Sequence, residues 1–229
     1  MSTRKYATSV LVDLSGTLHI EDTCIPGAVE ALQRLRDAGL KIRFVTNTTK
    51  ESRRCLHERL SSLGFNIDEN DLFSSLTATR AYIEAEKLRP YLMVAEASME
   101  EFAGIDASDP NAVVIGLAPD KFDFSPMNEA FRLLNKGASL VAIHKGRYYR
   151  TNSGLSLGPG PFVAALEYAT DVTAKIVGKP EKSFFQSALK LMDTTPEDAV
   201  MIGDDVRDDI DGAQKVGIRG ILVQTGKCR

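Results

Sequence analysis

The chain has 229 residues, 43% hydrophobic and 26% charged, with 28 basic and 31 acidic side chains and a net charge of −3. These proportions exclude a disordered chain, which lacks the apolar area to offset chain entropy, and a fibrous repeat, since glycine and proline recur with no period. The charge balance argues against a nucleic-acid partner, and the longest apolar runs, such as 112–118, fall far short of a membrane span.

Ser9-Val-Leu-Val-Asp13 is a short apolar run ending in an acid and reads as a buried strand. Pro26-Gly27 opens a helix carrying Val29, Leu32 and Leu35, which Gly39 stops. Residues 40–46 form a second strand. Leu56, Leu60 and Leu63 then share one face of a second helix, ended by Gly64. This alternation predicts an α/β fold, a parallel sheet with crossover helices. From 76 to 170 the texture changes. Residues 91–95, 112–117 and 140–144 read as strands, and 148–157 as a hairpin around Asn152-Ser153-Gly154. A second, smaller α/β unit over 76–170 is therefore expected within a core made of 1–75 and 171–229. The core rhythm returns with strands at 175–178, 199–203 and 219–223 and helices at 181–191 and 208–216. Cys24, Cys55 and Cys228 form no Cys-x-x-Cys pair, which argues against a disulfide framework or zinc site and for a reducing compartment. The first residues lack the apolar core of a secretory signal, so a cytoplasmic protein is expected.

In parallel sheets ligands bind beyond the carboxyl ends of the strands. The residues there are Asp13, followed by Ser15; Thr46-Asn47; Lys179; and Asp204-Asp205, with Asp208 and Asp209 after them. Singly they are bland: a strand-end Asp is usually a turn or cap residue, a Lys a solvated charge, and acids at a helix start complement its dipole. Together they bring a carboxylate, a hydroxyl, an ammonium and an acidic cluster to one edge.

Val10-Leu-Val-Asp13-Leu-Ser-Gly-Thr17-Leu resembles the first motif of the haloacid-dehalogenase-like hydrolase superfamily. Val45-Thr46-Asn47 resembles its second, Gly178-Lys179-Pro180 its third, and Gly203-Asp204-Asp205-x-x-x-Asp209 its fourth. The order and spacing match over nearly the whole chain. The resemblance implies a Rossmann-like parallel-sheet core with helices on both faces, and an inserted α/β cap domain of the family's second type. It implies a Mg²⁺-dependent phosphatase in which Asp13 attacks phosphorus and forms an aspartyl-phosphate. Asp13, the Ser15 backbone carbonyl and Asp204 would hold Mg²⁺. Ser15, Thr46, Asn47 and Lys179 would contact the phosphoryl group, and Lys179 would also pair with Asp13. Asp205 and Asp209 would orient Lys179 and the metal's waters. The implied partner is a small phosphorylated substrate, such as a phosphoamino acid or pyrophosphate, with a homodimer through the cap left open. Family members usually run on for some tens of residues past Arg229.

Most phosphatases of this superfamily carry an Asp two residues after the nucleophile, to protonate the leaving group and later activate water. Here that position is Ser15, whose hydroxyl is a poor acid–base group, and the loss is worth roughly 3–5 kcal/mol of barrier. Ser15 is thus expected to favour substrates whose leaving group needs little protonation. It also keeps a second reading open, a non-catalytic binder of phosphate ligands on the same scaffold. A receiver domain also uses Asp, Thr and Lys at strand ends, but the inserted unit and the acidic cluster argue against it.

Other residues carry weaker signals. Leu157-Gly-Pro-Gly-Pro161 lacks the spacing of a dinucleotide loop and reads as a loop before a helix that could shape substrate access. Lys145, Arg147, Tyr148 and Tyr149 could contact an anionic leaving group or simply face solvent. His144 reads as structural, His19 as able to approach the site, and His57 as exposed.

Overall fold

A computed structural model describes residues 6–151 and 153–226, so Cys228 and the Asn152 position of the hairpin turn lie outside the described residues. Five parallel strands form the first sheet, in the order Arg219–Leu222, Ala199–Gly203, Ser9–Val12, Lys41–Thr46 and Leu72–Ser74. The central strand Ser9–Val12 is buried on both faces, which is why it reads as a continuous apolar run. Strand side chains alternate between faces. Val10 and Val12 pack with Leu32, Phe44, Leu56 and Leu60 on one side. Leu11 packs with Val45, Phe184, Phe185, Leu189 and Met201 on the other. Helices Ala28–Asp37 and Arg53–Ser62 thereby cover one face and Lys182–Leu191 the opposite one.

A second parallel sheet of four strands runs Lys175–Ile176, Ser139–Ala142, Ala112–Ile115, Pro90–Met93. Its two faces have their own cores, one around Ile115, Leu140 and Val163 and one around Leu76, Ile83 and Val114. The hairpin pairs Tyr148–Thr151 with Gly154–Leu157, as expected. No helix among the described residues is long and apolar enough to cross a membrane.

Two strands depart from the expectation. Leu72–Ser74, too short to carry a period, forms an edge of the first sheet. The segment expected as the core strand at 175–178 pairs at Lys175–Ile176 with Ser139–Ala142 of the second sheet. Two paired residues hold no pattern that names their neighbour, so only the assembled chain decides which sheet they join.

Candidate active site

The parallel strands of the first sheet deliver their carboxyl ends to one edge, where Asp13 follows Val12, Thr46 ends Lys41–Thr46 and Asp204 follows Gly203. The Asp13 amide continues the ladder by donating to the Ile202 carbonyl (2.9 Å), which fixes the start of the loop. Lys179 arrives from the second sheet instead. The Gly178 amide bonds the Ile143 carbonyl (2.8 Å), and the next residue turns its side chain into the first sheet's edge.

Lys179 is 2% exposed, and its ammonium donates to Asp13 Oδ1 (2.6 Å), Asp209 Oδ1 (2.6 Å) and the Val45 carbonyl (3.1 Å). Those bonds use all three donors of the ammonium. Burial alone would lower the Lys179 pKa; Asp13 and then Asp209 outweigh it and hold the group above its ordinary value, charged. Burial pushes the Asp209 carboxyl up, against the pull of Lys179 and with the help of the Asp13 charge.

The expected residues take differing places. Thr17, absent from the expected set, donates to Asp13 Oδ2 (3.0 Å). Thr46 is buried and its Oγ1 accepts from the Thr48 amide (3.1 Å). Asn47 clasps the Lys179 backbone, its Nδ2 donating to the carbonyl and its Oδ1 accepting from the amide, each at 2.9 Å. That clasp sets Lys179 before any substrate is bound, a role the motif alone did not reveal. Asp209 touches Lys179 as expected. Asp205 is not among the acceptors of the Lys179 ammonium. Its carboxylate instead accepts from the Arg207 and Asp208 amides (2.9 and 3.0 Å) and caps the wide helical turn Val206–Asp211. Ser15 is exposed at the site.

Asp204 is 2% exposed and walled by backbone. Gly16 has φ +92°, and a Cβ there would lie 2.4 Å from Asp204 Oδ2, so both conformation and space demand glycine. A Cβ on Gly226 would come to 2.2 Å of the same oxygen, and Thr225 Oγ1 donates to the Gly16 carbonyl (2.6 Å). The segment after the last strand thus closes over the acidic loop. No periodicity could have found this contact, which spans 209 positions.

A cavity of about 720 Å³ opens here, lined by Asp13, Ser15, Thr46, Lys179 and Asp204 and, farther out, by His19, Lys50 and Tyr149. His19 is buried, its Nδ1 lies 2.8 Å from the Glu21 carbonyl, and burial and then Arg59 hold its pKa below the ordinary value. His144 lines the cavity and its Nδ1 accepts from the Gly146 amide (3.2 Å). His57, expected to be exposed, is half-buried and reaches the Ile67 carbonyl (2.9 Å). Tyr148, Tyr149 and Gly158 reach the cavity, whereas Lys145 pairs with Glu167 (2.5 Å) and lies, with Arg147, along a neighbouring cleft.

A family model described as haloacid dehalogenase-like hydrolase matches residues 10–108, and a second, HAD-hydrolase-like, matches 176–229. The chain is 61% identical to haloacid dehalogenase-like hydrolase domain-containing protein 2 of Rattus norvegicus, over 99% of this chain and 88% of the relative. The chain belongs to the haloacid dehalogenase-like hydrolase family. It is also 43% identical to phospholysine phosphohistidine inorganic pyrophosphate phosphatase of Homo sapiens, over 96% of this chain and 84% of that protein. Its fold matches that of a glycerol phosphate phosphatase from Mycobacterium tuberculosis in complex with magnesium. The TM-score is 0.85 at 29% identity, covering 96% of this chain and 69% of that one.

The donor set fits the divalent cation that the family implies. Carboxylate oxygens of Asp13, Asp204 and Asp209 lie within 4.8 Å of one another, all buried. Three buried carboxylates face one ammonium, an excess of negative charge that a hard, oxygen-seeking cation would balance.

Proposed function

We propose that this chain is a Mg²⁺-dependent phosphatase acting on small phosphorylated substrates through an aspartyl-phosphate on Asp13. The observation that carries the reading is the buried Asp13–Lys179–Asp209 chain. It presents a carboxylate at the floor of an open cavity and fixes a positive charge beside it. Asp13, Asp204 and the Ser15 carbonyl would hold Mg²⁺, which when bound would supply charge neutralisation at the phosphoryl oxygens. Asp13 attacks phosphorus, the bond to the leaving oxygen or nitrogen breaks, and water later cleaves the acyl-phosphate to free phosphate and the carboxylate. Lys179 stabilises the added negative charge, and Thr46 retains a hydroxyl proton for a phosphoryl oxygen. Asn47 acts by holding Lys179, and Asp209 by orienting its ammonium. The unit at 76–170, whose sheet also takes in the strand Lys175–Ile176, serves as a cap over a core of 1–75 and the rest of 171–229. Residence in the cytoplasm is proposed from the cysteine usage, and pairing of two copies through the cap from the resemblance.

The test is chemical trapping. Incubated with Mg²⁺ and a phosphodonor, the protein is expected to acquire a hydroxylamine-labile phosphate on Asp13, and EDTA to prevent it. Phosphate-ligand binding without that adduct, in protein that is folded and metal-loaded, would favour the non-catalytic reading.

Ser15 sets a second expectation. An alkoxide leaves as a strong base and suffers most from the missing proton donor, whereas phosphate or a protonated amine leaves without help. Ser15→Asp should raise kcat/KM for alkyl phosphates by about 10²-fold or more, and by clearly less for pyrophosphate. Equal gains on both classes would show that leaving-group protonation is not what Ser15 limits.

A further inference from the structure

Three Lys or Arg side chains line the cavity among the described residues: Lys50, Arg59 and Lys179. Two are neutralised by carboxylates. Lys179 is held by Asp13 and Asp209, each at 2.6 Å. Arg59 pairs with Glu51 (2.5 Å) and lies 3.9 Å from Asp22. Lys50 has no carboxylate within ion-pair distance among the described residues; its ammonium sits 4.2 Å from the centroid of the Tyr149 ring. An aromatic face steadies a cation without cancelling its charge. Lys50 is therefore the cavity's uncommitted positive charge.

Its backbone is pinned on both sides. Thr49 is 1% exposed; its carbonyl accepts from Ser98 Oγ (2.6 Å) and its Oγ1 from the Leu117 amide (2.8 Å). The Ser52 amide donates to the Ala97 carbonyl (2.9 Å). Lys50 follows Thr46 by four residues on this clamped loop, and Tyr149 meets it from the hairpin strand Tyr148–Thr151. Lys50 is exposed, so its ammonium, resting on Tyr149, is open to a ligand in the cavity that Asp13 also lines.

We propose that Lys50, braced by Tyr149, is a second anion subsite that selects phosphoryl substrates whose leaving group carries its own negative charge, a phosphate or a carboxylate. This rests on the phosphatase reading above. In the step it assists, Asp13 forms a bond to one phosphorus of pyrophosphate, the P–O bridge breaks, and the electron pair stays on the departing phosphate. When pyrophosphate enters monoprotonated on the departing group, that group leaves as HPO₄²⁻ without a proton from the protein, and the Lys50 ammonium faces its charge. A cation there does electrostatically what the side chain at position 15 cannot do by proton transfer.

The test compares pyrophosphate with p-nitrophenyl phosphate, with Mg²⁺ present, in the wild type, Lys50→Gln and Lys50→Arg. Lys50→Gln is expected to lower kcat/KM for pyrophosphate at least tenfold, chiefly through KM, and that for p-nitrophenyl phosphate less than threefold. Lys50→Arg should keep most of the pyrophosphate rate. Equal losses on the two substrates overturn the subsite, as does a wild type that hydrolyses the aryl phosphate but not pyrophosphate; both leave the phosphatase reading standing. Calorimetric binding of pyrophosphate and of inorganic phosphate reads the same subsite without turnover. Pyrophosphate should bind at least tenfold tighter, and Lys50→Gln should close the gap. Equal wild-type affinities overturn the proposal even if the protein turns over neither substrate, the outcome that would overturn the phosphatase reading itself.

Discussion

Asp13→Asn is expected to lower kcat by roughly 10⁴–10⁶-fold while leaving the protein folded. An amide is nearly isosteric with a carboxylate. Its oxygen can still accept from Lys179 or from Thr17, which now approach the two carboxylate oxygens at 2.6 and 3.0 Å. It cannot displace a leaving group from phosphorus, and it weakens the cation site as well, so the loss does not divide into a nucleophile share and a metal share. The melting temperature should move by no more than about 2–4 °C, the equivalent of ~1 kcal/mol in a chain of this size, because the substitution removes one of two carboxylates that compete for one buried ammonium. Turnover above a tenth of the wild-type rate, with an unchanged circular dichroism spectrum, would remove Asp13 from the role of nucleophile.

Lys179→Met should abolish turnover and also destabilise the fold, by about 3–5 kcal/mol at neutral pH. Met fills the volume but strands Asp13 and Asp209, 5% and 1% exposed, with no cation between them. The pH dependence separates this from simple repacking. Burial and the Asp13 charge already raise the Asp209 pKa, to about 8, with Lys179 pulling against them; without Lys179 the group rises further. A carboxyl whose folded pKa lies above its unfolded one contributes stability fully below the unfolded value, and that contribution is lost as pH rises through the folded one. The defect of Lys179→Met should therefore be largest at pH 8 and above and shrink toward pH 5. Urea midpoints of both proteins at pH 5 and pH 8 measure it, and a pH-independent difference would mean that the charges are not its origin. Added Mg²⁺ should restore part of the midpoint at pH 8 by replacing the missing positive charge.

Much of this architecture is local and can be read without coordinates. Ser9–Val12 is apolar at every position but its first, so it is a central strand, and Asp13 is the first residue free of it. Leu56 and Leu60 sit one helical turn apart, so they face the same core. That Asp13, Thr46 and Asp204 converge also follows from sequence, because parallel strands end on one edge and each of these residues stands at a strand's carboxyl end. What the chain order could not decide is which side chains meet there. Asn47 clasps Lys179 across 132 positions, and Lys179 bonds Asp13 across 166. Thr225 and Gly226 close on Gly16 and Asp204, and Lys50 stacks on Tyr149. Asp205, beside Asp204 and four residues before Asp209, turns out to cap a helical turn while Asp209 takes the lysine. Periodicity reports which face of an element is apolar; it carries no information on the distance between polar groups from different elements. Those distances are set by sheet order, by the second sheet's delivery of Lys179, and by glycines that let backbone approach a carboxylate, and all three exist only once the chain is packed.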